Sequence, residues 1–294
     1  MKPLTVVVYG LDSPFETRLA LKYLRENSDP SLTHIVLVDN GSTEPYQMWD
    51  ADQLVRYPHN IGGNAVQHRL HQEGQIEQTP LTGFLHCDTL VREKGWDRRV
   101  IEAFQNFPDV ALLGFVGSDE IDELGGRGGG TTLNYLGDFY EGLGQASKAE
   151  VHGRRHAGIM PAAVLDHMSM IFRTEQLLKL TPQEGHYAPE HFMDRIWCCE
   201  VLERGGKVAY LGILCDHRSE GIGAGNIKAD ALRIKWLNQE NIPFKVGDSH
   251  NAVYRESERR FLERFQKTGF IPLRVSRNWE LTHLHYLRGG PWRP

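Results

Sequence analysis

The chain has 294 residues, a formal net charge of −5, 40% hydrophobic residues and 24% charged residues. These values are ordinary for a globular protein of one large domain or two. The acidic balance argues against general nucleic-acid binding, which needs a basic surface. The four cysteines form no C-x-x-C pair, so we expect reduced thiols in a cytoplasmic protein rather than a zinc ribbon. Neither a secretion signal nor a membrane-spanning segment is expected, since no long apolar run occurs.

Strands and helices are predicted to alternate over the first 116 residues. Runs of β-branched and apolar residues predict strands at 4–9, 34–38, 54–57, 81–85 and 110–116. Helices are predicted to begin at Pro14, near Ala65 and at Gly95. Alternation with short turns is typical of an α/β fold with a doubly wound, mostly parallel sheet.

The pattern changes in the second half. Residues 117–158 lack periodicity and include a glycine-rich run at 125–130. This run has no Lys-Ser/Thr ending and is therefore not a phosphate loop. It is either a flexible surface loop or a lid that orders on ligand binding. The later elements are predicted as strands at 168–172 and 207–214, a helix at 190–204 ending at Gly205, and C-terminal helices at 230–237, 252–266 and 276–287.

Asp88 and His217 each follow a predicted strand. In an open α/β sheet, the carboxyl ends of the strands face the ligand crevice. At this position, Asp88 is either an acidic residue that forms a turn or a ligand of Mg²⁺ or Mn²⁺. These ions are often held by carboxylates together with substrate phosphates. His217 is either a capping residue or a second ligand, because Mn²⁺ accepts imidazole beside oxygens. Asp216 is an alternative ligand.

Asp194 and Glu190 lie four residues apart and share one face of the predicted helix. A carboxylate near the start of a helix compensates the helix dipole. The other interpretation of Asp194 is a general base, which must reach the hydroxyl of an acceptor.

Two polar turns follow the second and third strands. Asp39 either closes an Asx-turn before Gly41 or binds a nucleobase or ribose. Gly62 and Gly63 begin a helix, where they either form a tight turn or bring backbone N–H groups to an anion.

Taken in order, these motifs resemble those of family-2 glycosyltransferases of the GT-A fold. The similar segments are Asp-Asn-Gly-Ser at 39–42, Asn-Ile-Gly-Gly-Asn at 60–64, His-Cys-Asp at 86–88, the helix around Asp194, Gly-Gly-Lys-Val at 205–208 and His-Arg-Ser-Glu-Gly at 217–221. Two departures stand out. The first acid of the D-x-D motif is His86 here, and only Asp194 is kept from Glu-Asp-x-Asp. The resemblance covers residues 4–221 and leaves 222–294 unmatched.

The resemblance implies a metal-dependent, inverting glycosyltransferase. It implies a GT-A-type mixed sheet flanked by helices in a catalytic domain at 1–221, with a nucleotide-binding half at 1–116, an acceptor-binding half at 117–221 and a C-terminal helical extension at 222–294. The implied cofactor is Mn²⁺ or Mg²⁺. The implied partners are a nucleoside-diphosphate sugar donor and a glycan or small-molecule acceptor, with the C-terminal helices available for self-association.

The resemblance also implies a role for each residue. Asp194 is the general base, and Asp88 and His217 hold the metal. The implied donor-binding residues are Tyr9, Gly10, Asp12, Asp39, Asn60, Gly62, Gly63 and His86. The implied acceptor-binding residues are Asp166, His167 and Glu190. His86 either replaces the contact of the missing acid or joins the metal shell. Alternatives are a retaining transferase of the same fold and a non-catalytic scaffold that binds nucleotide sugars.

Overall fold

A computed structural model describes residues 2–127, 158–181, 191–217, 227–245 and 247–282. The helices are α1 (Pro14–Asn27), α2 (Gly63–Gln72), α3 (Trp96–Asn106), α4 (Thr174–Leu177), α5 (Met193–Glu203), α6 (Ile227–Gln239) and α7 (Ser249–Phe265). The strands are β1 (Leu4–Gly10), β2 (Thr33–Asn40), β3 (Gln53–Tyr57), β4 (Leu81–His86), β5 (Thr89–Val91), β6 (Val110–Gly114), β7 (Gly117–Ser118), β8 (Glu120–Ile121), β9 (Ile159–Pro161), β10 (Val164–Leu165), β11 (Ser169–Arg173), β12 (Lys207–Leu211), β13 (Cys215–His217), β14 (Leu273–Val275) and β15 (Leu281–Thr282).

An eight-stranded mixed sheet forms the centre of the fold, in the order β3-β2-β1-β4-β11-β6-β12-β9. The first four strands are parallel, whereas β11 runs antiparallel to both β4 and β6. The apolar runs of β1, β2 and β4 are buried throughout, as expected for strands covered on both faces. The predicted α/β class, with a large mixed sheet flanked by helices, is confirmed.

Two apolar cores lie on opposite faces of this sheet. Successive side chains of a strand point to opposite faces, so Val7 belongs to one core and Val6 and Val8 to the other. Trp96 of α3 is fully buried on the Val6 side, and Trp197 of α5 is fully buried on the Val7 side. Burial of one large apolar side chain contributes about 1.5–3 kcal/mol, so the two helices hold the sheet rigidly behind its loops.

The parallel strands end together at one edge of the sheet. Gly10 of β1 pairs with Asp39 of β2, and Tyr9 pairs with His86 of β4. Asn40 pairs in turn with Tyr57 of β3. The loops that follow these strands therefore emerge side by side, in the position where ligands bind open α/β sheets.

The C-terminal segment differs in part from the prediction. Two of its three predicted helices are present as α6 and α7, and Phe261 and Phe265 of α7 enter the main core. The third, predicted at 276–287, is wrong over the described residues 276–282. There β14 and β15 form a hairpin that pairs with β8, and Trp279 has a positive φ of 65° that interrupts helical geometry. The division into domains at residue 221 stays a prediction.

Three smaller findings bear on the sequence-based expectations. Gly205 has a φ of +78° after α5, which agrees with its predicted role in ending that helix. All four cysteines are free and buried. Within the described ranges, no helix combines the length and the apolar character that a membrane crossing requires.

Candidate active site

Two histidines and one carboxylate meet at the end of β4. The Nε2 atom of His217 lies 3.3 Å from Oδ1 of Asp88, and Nδ1 of His86 lies 3.8 Å from the same oxygen. The two imidazole nitrogens are 3.4 Å apart. Asp88 is buried, and both histidines are partly buried. This cluster joins three potential metal-binding side chains, all of whose ligating atoms lie within 4.8 Å of one another.

The chain brings His217 to Asp88 through a short sheet of its own. β13 pairs antiparallel with β5, and this register places His217 opposite Thr89. The strand predicted at 207–214 is shorter in the structure, because β12 ends at Leu211, and a separate strand, β13, begins at Cys215. The Glu93 carboxylate accepts a hydrogen bond from the Leu214 N–H in this connection (3.0 Å), which helps to fix the approach of β13.

The protonation states of Asp88 and His86 suit a cation, whereas His217 must lose a proton to bind one. Burial raises the pKa of Asp88, but the hydrogen bond and charge of His217 and the charge of His86 outweigh it, so this pKa is lowered. Burial and the nearby His167 lower the pKa of His86 to about 3. His217 keeps a raised pKa, because Asp88 more than offsets the effect of burial. An ionised carboxylate and a neutral imidazole are the forms that bind metals.

Arg127 connects Asp194, the predicted general base, with Asp166, a predicted acceptor-binding residue. Its Nη2 atom lies 2.5 Å from Oδ2 of Asp166 and 3.6 Å from Oδ2 of Asp194. Asp166 precedes His167, whose ring stands edge-on to that of His86 at a centroid distance of 4.1 Å. The cluster of His86, Asp88 and His217 is therefore linked to Asp194 through His167, Asp166 and Arg127.

Local turns set Arg127 and Asp194 in place. The Asp122 carboxylate accepts a hydrogen bond from the Gly126 N–H (2.7 Å), and the hydroxyl of Ser118 donates to the carbonyl of Arg127 (2.7 Å). Asp194 is buried in the first turn of α5. Phe192 immediately before that helix has a φ of 63°, a costly conformation for a bulky residue and one that clusters near functional sites.

We expect Arg127→Met to lower the melting temperature by several degrees at neutral pH. A hydrogen bond to a charged group contributes about 1.5–3 kcal/mol, and the pair with Asp166 is largely buried. Burial alone raises the pKa of Asp166, but Arg127 and the histidines 167 and 217 hold it well below its usual range.

The difference in melting temperature between Arg127→Met and the unchanged chain should depend on pH. A depressed carboxyl pKa contributes stability above the unfolded-state value of about 3.9, and that stability is lost as the pH falls through the folded-state pKa. The two melting temperatures should therefore begin to approach each other below about pH 4 and continue to do so as the pH falls further. Arg127→Lys keeps the positive charge, so its melting temperature should fall less than that of Arg127→Met. If Arg127→Met and the unchanged chain differ in melting temperature by the same amount at pH 7 and pH 3, the ion pair does not have this role.

The loops after β2 and β3 are joined by amide side chains. Asn40 donates from Nδ2 to Oδ1 of Asn60 (3.0 Å), and the N–H of Ile61 donates to Oδ1 of Asn40 (3.0 Å). The N–H of Gly62 donates to Asn60 Oδ1 (2.9 Å). These bonds set the start of α2, with Gly62 at a φ of +87°.

Asp39 lies below these loops rather than in the open. It is fully buried, and its carboxylate accepts hydrogen bonds from the N–H groups of Ser42 (2.8 Å) and Tyr46 (3.1 Å). These contacts agree with the interpretation of Asp39 as a turn-forming residue, since they shape the loop after β2.

Asp12 and α6 close the same edge of the sheet. Asp12 accepts a hydrogen bond from the Thr43 N–H (2.6 Å) and lies 3.5 Å from Nζ of Lys228, which also donates to the carbonyl of Gly41 (2.6 Å). Gly41 has a φ of +86°, and a Cβ there would lie 2.4 Å from the backbone carbon of His59. Only glycine fits this contact.

Tyr9 connects the loops to the metal cluster. Its ring stands edge-on to His86 at 6.1 Å, and a Cβ on Gly63 would lie 2.9 Å from its ring. Burial raises the pKa of the Tyr9 hydroxyl, so it stays protonated. Gly10 is similarly confined, because a Cβ there would meet the hydroxyl oxygens of Thr17 and Tyr46.

Most of the predicted residues therefore lie along one continuous edge of the fold. Glu190 lies outside the described residues, as does most of the stretch 117–158. Sequence reasoning missed Arg127, Lys228 and Asn40. Arg127 is the only cationic residue in the glycine-rich run at 125–130, and this isolated charge could have indicated a functional role. Lys228 belongs to the unmatched segment and gave no signal.

The chain was also compared with known proteins. No protein-family model matches it, and no curated protein matches its sequence. Among solved structures, it is similar to residues 1–349 of TarS from S. aureus (14% identity, covering 92% of this chain and 74% of that one, TM-score 0.48). A second TarS structure, in complex with UDP-GlcNAc, gives 15% identity, covering 92% of this chain and 75% of that one, with a TM-score of 0.46.

A mannosyltransferase from Pyrobaculum calidifontis in complex with GDP-Man and Mn²⁺ is also similar (12% identity, covering 91% of this chain and 75% of that one, TM-score 0.48). All of these identities and scores are low. We therefore base the proposed function on the side chains of the site.

Proposed function

We propose that the protein is a metal-dependent, inverting glycosyltransferase that moves a sugar from a nucleoside diphosphate to an acceptor hydroxyl. The observation that carries this proposal is the placement of Asp88, His86 and His217 at the ends of β4 and β13, with Asp194 reached through Asp166 and Arg127. A cation site and a carboxylate base on one edge of an α/β sheet are the two parts that such a transfer needs.

The donor is proposed to lie across the loops that follow β1, β2 and β3. α2 begins at Gly63 in this region, and the N-terminal end of a helix favours an anion. Lys228 brings a positive charge to the same edge. Tyr9, between Gly63 and His86, forms the floor of the proposed site.

Asp88 and His217 would hold a divalent cation, and their atoms fit one, since an anionic oxygen and an imidazole nitrogen are 3.3 Å apart. When bound, such a cation offsets the negative charge that develops on the departing diphosphate. The burial of Asp88 reduces competition from water for its carboxylate. This arrangement favours a donor that carries a diphosphate over a simple sugar.

Asp194 is proposed to accept the proton of the acceptor hydroxyl. As the hydroxyl oxygen forms its bond to the anomeric carbon, the bond from that carbon to the diphosphate oxygen breaks, and the electron pair leaves with the diphosphate. Attack from the face opposite the leaving group inverts the anomeric centre. Asp166 and His167 lie between Asp194 and the metal cluster, where the acceptor would enter.

The function can be tested with UDP, GDP, dTDP and CDP sugars in the presence of a divalent cation. A ligand at one hundred times its Kd stabilises the folded state by about 2.7 kcal/mol, so one nucleotide should raise the melting temperature. The matching sugar should also be released slowly to water, and NMR should show the inverted anomer. Binding without release would favour a non-catalytic scaffold, and retention would favour the retaining mechanism. No binding by any donor would contradict the proposal.

A further inference from the structure

The group formed by His86, Asp88 and His217 contains one more nitrogen ligand than the proposed function requires. His86 lies two residues before Asp88, and its Nδ1 atom faces both Asp88 and His217. The three ligating atoms form a nearly regular triangle with sides of 3.3, 3.4 and 3.8 Å. Atoms at these separations share a point about 2.0 Å from each of them, which is the length of a zinc–nitrogen or zinc–oxygen bond.

We propose that His86 is a third protein ligand of the cation, and that the resulting set of two imidazoles and one carboxylate selects a transition-metal ion such as Co²⁺, Zn²⁺ or Fe²⁺ over Mg²⁺. The inference rests on the proposed cation site but not on sugar transfer.

The chemistry of the ligands supports this selection. Mg²⁺ prefers oxygen ligands and gives up its waters reluctantly. Imidazole suits Zn²⁺, Fe²⁺, Co²⁺ and Ni²⁺, and the affinity of a nitrogen site for divalent ions rises from Mn²⁺ towards Cu²⁺. An acid at residue 86 would supply a second hard oxygen, whereas His86 supplies a second borderline nitrogen. Two imidazoles and one carboxylate also leave positions open for a substrate.

The surroundings of His86 fix its ring in this orientation. Its backbone belongs to β4 and pairs with Tyr9, and its N–H donates to the carbonyl of Met168 (3.0 Å). The rings of Tyr9 and His167 both stand edge-on to the imidazole. A side chain held on two sides loses little conformational freedom on binding an ion, so His86 is preorganised for this role.

Metal binding to the 294-residue chain without any donor tests the inference. Co²⁺ serves as the probe, because its visible absorption reports directly on nitrogen ligation, and Mg²⁺ is tested by competition. The unchanged chain should bind one Co²⁺ at least about 100-fold more tightly than Mg²⁺. Loss of even an indirect metal contact costs about 10–100-fold in affinity, so His86→Ala should weaken Co²⁺ binding at least tenfold. His86→Asp should narrow the preference over Mg²⁺ by at least tenfold and change the absorption.

His34→Ala is the matched control. His34 lies on β2, four residues before Val38, the β2 residue that pairs with Tyr9 of β1. Four residues of strand extend roughly 13 Å, which separates His34 from the cluster. This variant should bind Co²⁺ as the unchanged chain does.

Thermal unfolding without metal verifies that each variant is folded. Unchanged Co²⁺ affinity and absorption in both folded His86 variants would overturn the inference, as would equal affinities for Co²⁺ and Mg²⁺ in the unchanged chain. These outcomes leave the transferase proposal standing, because Asp88 and His217 alone suffice for it. Metal selectivity without any transfer from the four nucleotide sugars would instead contradict the function and leave this inference standing.

Discussion

Asp194→Asn should lower the rate of sugar transfer by about 10²–10⁴-fold, the contribution typical of general-base assistance. The amide has nearly the same shape as the carboxylate but cannot accept a proton in the transition state. Its oxygen can still accept the hydrogen bond from the Arg195 N–H, which is 2.8 Å long in the structure. Donor binding should therefore be unchanged, and the loss should fall on kcat.

The fold should tolerate this substitution. A carboxylate in the first turn of a helix contributes about 0.3–1 kcal/mol through the helix dipole, and Arg127 keeps its shorter contact with Asp166. We expect the melting temperature to fall by only a few degrees. A large loss of rate in a protein that melts almost normally would then report on chemistry.

Asp166→Asn is the control, because Asp166 is the other carboxylate that contacts Arg127. It should reduce stability more and rate less than Asp194→Asn, since its ion pair is the tighter one. The reverse pattern would identify Asp166 as the base.

The parts of the site that follow strands could be predicted from sequence. The apolar run before Asp88 indicates a buried strand, and a polar residue after such a strand falls at the carboxyl edge of the sheet. The same reasoning located Asp39 and the turn at Gly62. It could not separate a loop-forming carboxylate from a ligand-binding one, and only the hydrogen bonds of Asp39 show that it shapes its turn.

The pairings that complete the site could not be predicted. β13 reaches Asp88 by pairing with β5, more than one hundred residues earlier in the chain, and strands of three residues leave almost no periodic signal. Arg127 follows a turn rich in glycine, so its position depends on the hydrogen bonds of Asp122 and Ser118. The predicted third C-terminal helix failed because Leu281 and Thr282 pair with β14, and this pairing overrides the helical pattern.

The cation site also explains why His86 was the least predictable residue of the set. On sequence alone, His86 is grouped with the donor-binding residues. The structure turns its Nδ1 atom towards Asp88 and His217. The neighbouring strands frame this ring, because β1 places Tyr9 on one side of His86 and His167 precedes the antiparallel β11 on the other.

Asp88→Asn should abolish cation binding and lower transfer by at least about 100-fold, because a metal ion contributes several kcal/mol to charge stabilisation in such reactions. Asp88 is the only anionic group of the described cluster and contacts both imidazoles. Loss of its charge leaves two neutral nitrogen ligands, which hold a divalent ion far less well. Treatment of the unchanged protein with EDTA should give the same loss, and added metal should reverse it.

Asp216→Asn is the matched control for Asp88→Asn. Asp216 adjoins His217 on β13, but its side chain points to the opposite face of the strand and lies 3.1 Å from the guanidinium of Arg92. This variant should lose stability and keep its cation affinity, as measured by calorimetry on the folded protein. If Asp216→Asn loses the cation while Asp88→Asn retains it, Asp216 is the ligand. If EDTA leaves transfer unchanged, the reaction does not depend on a metal, and the charge on the leaving diphosphate must be offset by cationic side chains such as Lys228.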